Sequence, residues 1–258
     1  MATALITGAS TGIGFELAKV FAANNINLVL VARSEDKLNQ LAATLSLKNI
    51  QVKVIVADLS KMDSVEKVYH ICKSENIVID YLVNNAGFGD YGFFNERDWN
   101  KQAGMIDLNI KSLTLFCHLF LQDMIARGTG KIMNVASTAS FQPGPTMAVY
   151  YASKAYVLHF TEAIANEVEN KNITVTALCP GATTSDFQRV AEMDESKLVK
   201  GKKLPTSKEV AEYGYSAMMK GKRVAVHGLL NYWMSQGYRF LPRNLMVKVV
   251  RFIQNKVH

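Results

Sequence analysis

Short β-branched runs that are apolar on both sides of the pleat alternate with longer segments of helical period along most of this chain. The strand-like runs fall at 3–7, 27–32, 51–57, 79–84, 130–135, 174–179 and 223–226, with helical patterns at 14–23, 34–45, 64–74, 106–126 and 152–170 between them. A strand with no polar face must be covered on both sides. Helices placed between such strands supply that cover and imply a parallel sheet. The expected fold is therefore α/β: a Rossmann-like, doubly wound, mainly parallel seven-stranded sheet with helices on both faces. No repeat, low-complexity block or Pro/Gly linker divides the 258 residues, so one domain over 1–258 is expected.

Charge is unevenly placed. The net charge is +7, yet residues 213–258 hold eight Lys/Arg and no Asp or Glu, leaving the rest near balance. The segment RNLMVKVVRFIQNKV puts Leu245, Val249, Phe252 and Ile253 at helical spacing with Lys248, Arg251 and Lys256 between them. A basic amphipathic helix around 243–257 is expected, packed on its own domain, on a second subunit or on an anionic membrane surface. No reader motif joins the basic residues, so nucleic acid is not an expected partner. No apolar run approaches the roughly 18 residues of a membrane span. MATALITGAS lacks a basic n-region and a cleavage site. Cys72, Cys117 and Cys179 are far apart and odd in number, without metal-ligand or disulfide spacing. A reducing, cytoplasmic setting follows as the expectation, with no metal.

The first strand runs into Gly8-Ala-Ser10-Thr11-Gly12-Ile13-Gly14 and then a helix. Glycines allow a tight turn and close backbone approach, and a helix N-terminus offers unpaired N–H groups to a pyrophosphate. The second strand ends at Arg33-Ser34. This is where dinucleotide-binding units meet the adenosine ribose: an acid there favours a 2′-hydroxyl, an arginine a 2′-phosphate. Arg33, aided by Lys37, points to NADP(H); Glu35 is the rival that would favour NAD(H).

TGASTGIG at 7–14, NNAG at 84–87, Ser137 and Tyr150-x-x-x-Lys154 occur in this order, and together they resemble the short-chain dehydrogenase/reductase family over roughly 3–184. The resemblance implies a nicotinamide cofactor across the carboxyl ends of the strands. Asp58 and Leu59 would meet the adenine, and Asn85, Ala86 and Gly87 would line the adenosine side. Pro180, Gly181 and Thr183 would hold the carboxamide end. It implies that 185–206 is a substrate lid, that Asn109 bends a helix and holds a proton-relay water, and that the protein is a homo-oligomer. Phe88, Tyr91, Phe93, Phe94, Phe141, Pro143, Pro145 and Met147 are candidate walls of a lipophilic pocket.

Helical spacing pairs Lys154 with both Tyr150 (i, i+4) and Tyr151 (i, i+3). The interval from Ser137 matches the family's tyrosine at Tyr150, leaving Tyr151 as a packing residue. A free phenol has a pKa of about 10 and exchanges protons poorly at neutral pH. One ammonium about 4 Å away, at an effective dielectric near 20, supplies the ~4 kcal/mol needed to lower it by about three units. Ser137, at a strand's carboxyl edge, would steady a developing alkoxide. The expected activity is hydride transfer between NADP(H) and a ketone or secondary alcohol of acyl, steroid or small-ketone type. A dinucleotide-binding redox sensor or partner module would share the fold, but has no need of Ser137, Tyr150 and Lys154 together.

Overall fold

The computed structural model describes residues 1–258 except Lys48, Asp186, 192–200, Lys202, Leu241 and 255–258. Seven parallel strands form one sheet: β1 (Thr3–Thr7), β2 (Asn27–Ala32), β3 (Val52–Val56), β4 (Tyr81–Asn84), β5 (Gly130–Val135), β6 (Ile173–Cys179) and β7 (Val224–Val226). Their order is β3-β2-β1-β4-β5-β6-β7. The winding reverses between β1 and β4, so the loops after these strands diverge and leave a crevice at their carboxyl ends.

Alternate residues of each strand serve different cores. Leu5, Val29 and Leu82 lie in a cluster with Val68 of α3 (Met62–Ser74), Phe116 of α5 (Leu113–Arg127) and Val157 of α6 (Ala148–Glu167). Ala4, Ile6, Leu28 and Leu30 lie in another with Leu17 of α1 (Gly12–Ala23), Leu38 of α2 (Glu35–Ser46) and Val210 of α8 (Ser207–Met219). This is the two-sided burial that the uninterrupted apolar strands require. β1 is buried at all five positions.

α4 (Trp99–Ile106) continues through a π-helical segment (Asp107–Ser112) into α5. By length and composition alone this continuous helix could cross a membrane. Met105, Asn109, Phe116, Phe120 and Met124 instead bury one side of it inside the protein.

The strand bounds depart from the sequence expectation by at most two residues. Among the helices not anticipated are α4, α8 and α9 (Leu229–Gly237). α8 had a legible signal, since Thr206 and Glu209 form a reciprocal capping box at its start. α6 begins at Ala148 rather than 152, which puts Tyr150 inside the helix.

The C-terminal helix α10 (Arg243–Gln254) packs on its own chain with a different face from the one expected. Met246, Val250 and Gln254 are buried, while Leu245, Val249 and Phe252 are exposed and Ile253 is half-buried. Met246 and Val250 join Tyr91, Met105, Ala139, Met147, Tyr150 and Tyr151 in a third, smaller core. Position 254 is polar, so the buried i, i+4, i+8 stripe reads less apolar than its neighbour. What selects it is a set of hydrogen bonds to Gln254: its carbonyl accepts from the Tyr91 hydroxyl at 2.8 Å, and its amide meets Thr146 and Tyr151.

Candidate active site

The carboxyl ends of the strands open into one cavity of about 810 Å³. Its first wall is the turn after β1. Gly8 (φ +67°) and Gly12 (φ +59°) hold left-handed conformations that favour glycine. Gly8, Ser10, Thr11, Gly12 and Ile13 line the cavity. Gly14 does not. It lies behind the turn, where a Cβ would stand 2.4 Å from the Gly8 carbonyl oxygen and 2.4 Å from Asn85 Nδ2. Its part in the turn is close packing on Gly8 and Asn85. Thr11 caps α1 without a side-chain hydrogen bond, and the first turn holds no acid. The N-terminal amides and the positive end of the helix dipole are thus presented toward the cavity.

The NNAG turn after β4 braces that wall. Asn85 Nδ2 donates to the carbonyls of Thr7 (2.9 Å) and Gly8 (3.2 Å), and the Thr7 hydroxyl accepts from the amides of Asn85 and Ala86, both at 3.0 Å. Asn85, Ala86 and Gly87 all border the cavity. Arg33, Ser34, Asp58 and Leu59 close its far end, whereas Glu35, in the first turn of α2, is not part of the lining. Burial pushes the Asp58 carboxyl up, but the Ser60 hydroxyl and amide, with Arg33 and Lys61 nearby, outweigh it and hold the group below the usual carboxylate range.

At the opposite end stand Ser137, Tyr150 and Lys154, all buried and all lining the cavity. Ser137 follows β5 and caps the short turn Thr138–Phe141. Its Oγ accepts from Ala139 N at 3.1 Å and reaches the Pro180 carbonyl at 3.5 Å. Ser140, in the same turn, donates to the Lys154 carbonyl at 2.8 Å, tying the β5 loop to α6. Lys154 Nζ donates to the Val135 carbonyl at 2.7 Å and lies 5.9 Å from the Tyr150 ring centroid.

The expected lowering of Tyr150 by Lys154 is not found. Burial pushes the phenol up to about 12, with a hydrogen bond to Ser137 pulling the other way. Burial also pulls Lys154 down to about 8, against the neighbouring Cys179 thiol. Both shifts share one cause: a site dry enough to disfavour phenolate and ammonium alike. Tyr150 is therefore held as the protonated, donating form.

Asn109 does not line the cavity. It is 1% exposed, in the π-helical segment behind Gly87, where its Oδ1 accepts from Phe88 N at 3.2 Å. Its Nδ2 donates to the Phe88 carbonyl at 3.0 Å and the Ser153 hydroxyl at 3.1 Å. Ser153 in turn donates to the Tyr150 carbonyl at 2.7 Å. These contacts make Asn109 a brace between the NNAG loop and α6. Asn109 sits inside the π-helical segment Asp107–Ser112.

Pro180, Gly181 and Thr183 line the cavity after β6, with the Thr183 hydroxyl on the Gly181 carbonyl at 2.9 Å. Of the expected lid, Phe187 in the short helix α7 (Phe187–Val190) lies against Tyr150, ring centroids 5.3 Å apart. Asp186, 192–200 and Lys202 lie outside the described residues. Among the candidate pocket walls, Phe88 and Met147 line the cavity, and Tyr91 is buried beneath α10. Phe93 and Phe94 are exposed, Phe141 packs on the main core, and Pro143 and Pro145 are not in the lining. Tyr151 packs beside Tyr150 as expected, and it also meets the Gln254 amide. Gln142, Leu230, Met234, Tyr238 and Gln254 line the cavity without having been anticipated. Sequence spacing gave no signal for them, because 100 or so residues separate some of them from Tyr150 along the chain and only the tertiary fold brings them to it.

The short chain dehydrogenase family model matches residues 2–196. Among solved structures, a short-chain dehydrogenase from Sphingobium yanoikuyae in complex with NADPH is 30% identical, with 99% of this chain and 98% of that one covered at a TM-score of 0.84. A bulky-bulky ketone specific alcohol dehydrogenase from Comamonas testosteroni is 28% identical, with 93% and 92% covered at a TM-score of 0.79. Dehydrogenase/reductase SDR family member 4 from Homo sapiens is 31% identical over 198 residues, covering 75% of this chain and 70% of the relative. The chain belongs to the short-chain dehydrogenase/reductase family. It is an oxidoreductase that binds a nicotinamide dinucleotide and acts on CH–OH or carbonyl groups.

Proposed function

We propose that this enzyme transfers a hydride between NADP(H) and a lipophilic ketone or its secondary alcohol, with Ser137, Tyr150 and Lys154 as the catalytic residues. One observation carries the reading: a single cavity has this trio at one end and Arg33 at the other. The residues between them suit an extended dinucleotide. The glycine turn offers close backbone approach and helix N–H groups to the pyrophosphate. Asp58 and Leu59 border the adenine end, and Thr183 the carboxamide end. Arg33 supports the phosphorylated cofactor because its planar fork matches a 2′-phosphate, while Glu35 lies off the lining.

The dinucleotide supplies the hydride. The Ser137 hydroxyl hydrogen-bonds the carbonyl oxygen. As the carbonyl carbon is reduced, the oxygen gains negative charge, and Tyr150 Oη donates its proton to it, leaving a phenolate and a secondary alcohol. Lys154, charged below about pH 8, would hold the ribose of the bound dinucleotide. Asn109 keeps α6 in place through Ser153. Phe88, Met147, Phe187, Leu230 and Met234 give the substrate end an apolar wall, which supports a bulky hydrophobic ketone over a small polar one. The same reading includes a homo-oligomer and a reducing, cytoplasmic setting, which the three buried free thiols suit.

Arg33→Asp tests the cofactor assignment. Removing two charge-assisted bonds at an exposed rim and adding a repelling charge should raise the KM for NADPH about 30-fold or more, and change that for NADH by less than about threefold. Equal effects on the two cofactors would remove Arg33 from the reading.

A further inference from the structure

Ten large apolar side chains between positions 229 and 252 are exposed, a density found in no other described segment. They sit on α9, α10 and the short turn between them. Phe240 is 86% exposed, and Trp233 and Phe252 are each 68% exposed, with Leu229, Leu230 and Leu245 alongside. The same two helices border the substrate cavity: Leu230 and Met234, themselves among the exposed residues of α9, and Val250, Ile253 and Gln254 from α10 are in its lining. The exposed apolar residues therefore flank the cavity's rim rather than a remote surface. Charge selects the occupant. The segment 213–258 carries eight basic residues and no acid, and Arg243, Lys248 and Arg251 stand exposed among the apolar side chains of α10.

We propose that the α9–α10 face docks on an anionic lipid surface, with Trp233, Phe240, Leu245 and Phe252 in the interfacial layer and Arg243 and Lys248 on lipid headgroups. Aromatic and aliphatic side chains interleaved with cations are the composition that binds this interface. A second copy of the chain fits less well. A two-fold interface would set the same basic segment against itself. Given the substrate reading above, on which this consequence rests, docking places the cavity rim at the bilayer, so that a lipid-soluble ketone enters from the membrane rather than from water.

The test uses the full chain carrying Trp99→Phe, so that Trp233 is the only tryptophan. It is mixed with vesicles of phosphatidylcholine alone and with vesicles of equal parts phosphatidylcholine and phosphatidylserine. Sedimentation with the anionic vesicles only, a blue shift of Trp233 emission and release by salt are expected. Arg243→Ala with Lys248→Ala should weaken binding about 25-fold, at about fivefold per basic residue. Turnover of a water-soluble ketone should not change in that variant. Failure to bind anionic vesicles at low salt overturns the proposal, as does equal binding of the charge variant. A dimer that Phe252→Ser dissociates, without vesicle binding, assigns the face to a second copy instead. Because binding is read by sedimentation and fluorescence, it stands or falls independently of the catalytic reading.

Discussion

Adjacent tyrosines on one helix make a paired test, because the structure gives their hydroxyls unrelated partners. Tyr150 Oη meets Ser137 at the cavity, whereas Tyr151 Oη meets the buried Gln254 amide of α10. Tyr150→Phe keeps the ring against Phe187 and removes the proton donor. Loss of a general acid costs about 10²–10⁴ in rate, or ~3–5 kcal/mol of transition-state stabilisation. Its effect on stability should be small, about 1 kcal/mol for one hydrogen bond. Tyr151→Phe leaves the acid in place but withdraws a partner from a side chain that is 1% exposed. That costs about 1–3 kcal/mol of stability, or about 2–10 °C in Tm for a chain of this size, with kcat within a few-fold. Nicotinamide absorbance on a panel of ketones, alongside thermal melts, reads both quantities. Normal turnover by Tyr150→Phe together with collapse in Tyr151→Phe would refute the assignment of the donor, and normal turnover by both would refute the catalytic reading.

Burial puts Lys154 near 8, below its usual range, so it loses its charge as pH rises through that value. The reductive kcat/KM should therefore fall on an alkaline limb near pH 8, while Tyr150, at about 12, stays protonated throughout; a flat profile to well above that limb would count against the role given to Lys154. Gly14→Ala should destabilise the protein by about 1–3 kcal/mol through overpacking, because its Cβ meets both the Gly8 carbonyl and Asn85. A melt unchanged within error would show that the turn can yield. Asn109→Ala should lower kcat and raise the KM for the cofactor together, since Asn109 braces both the NNAG loop and α6; an effect on only one of the two would show that the brace serves a single end.

Strands were legible because burial on both faces leaves no polar alternation, and the β1 turn because the positive φ at Gly8 and Gly12 favours glycine. Tyr150 and Lys154 were legible because spacing on a helix is a local property. The electrostatics were not. The same Coulomb estimate that favoured a lowered phenol omitted the desolvation of both partners, which depends on Phe187 and the loops that close over them. The face of α10 was misread for a similar reason. Its packing is decided by Thr146 and Tyr151, which meet the Gln254 side chain, and by Tyr91 on the backbone carbonyl of the same residue, all far away in sequence, where hydropathy alone favours the Leu245–Val249–Phe252 stripe. Gly14 resembled its cofactor-binding neighbours by position, but the turn uses it for contact with Gly8.

The hydrogen bonds of Asn85, Asn109 and Ser153 have a mechanical meaning. The phosphate-facing turn is fastened to the NNAG loop by Asn85. That loop is fastened through Phe88 to Asn109, Asn109 to Ser153, and Ser153 to the carbonyl of Tyr150. Loop, π-helical segment and catalytic helix thus form one girder spanning both ends of the cavity, which couples the two ends. Substitutions along it should combine non-additively even where they are too far apart to touch, so the end that holds the dinucleotide and the end that delivers the proton constrain each other's evolution.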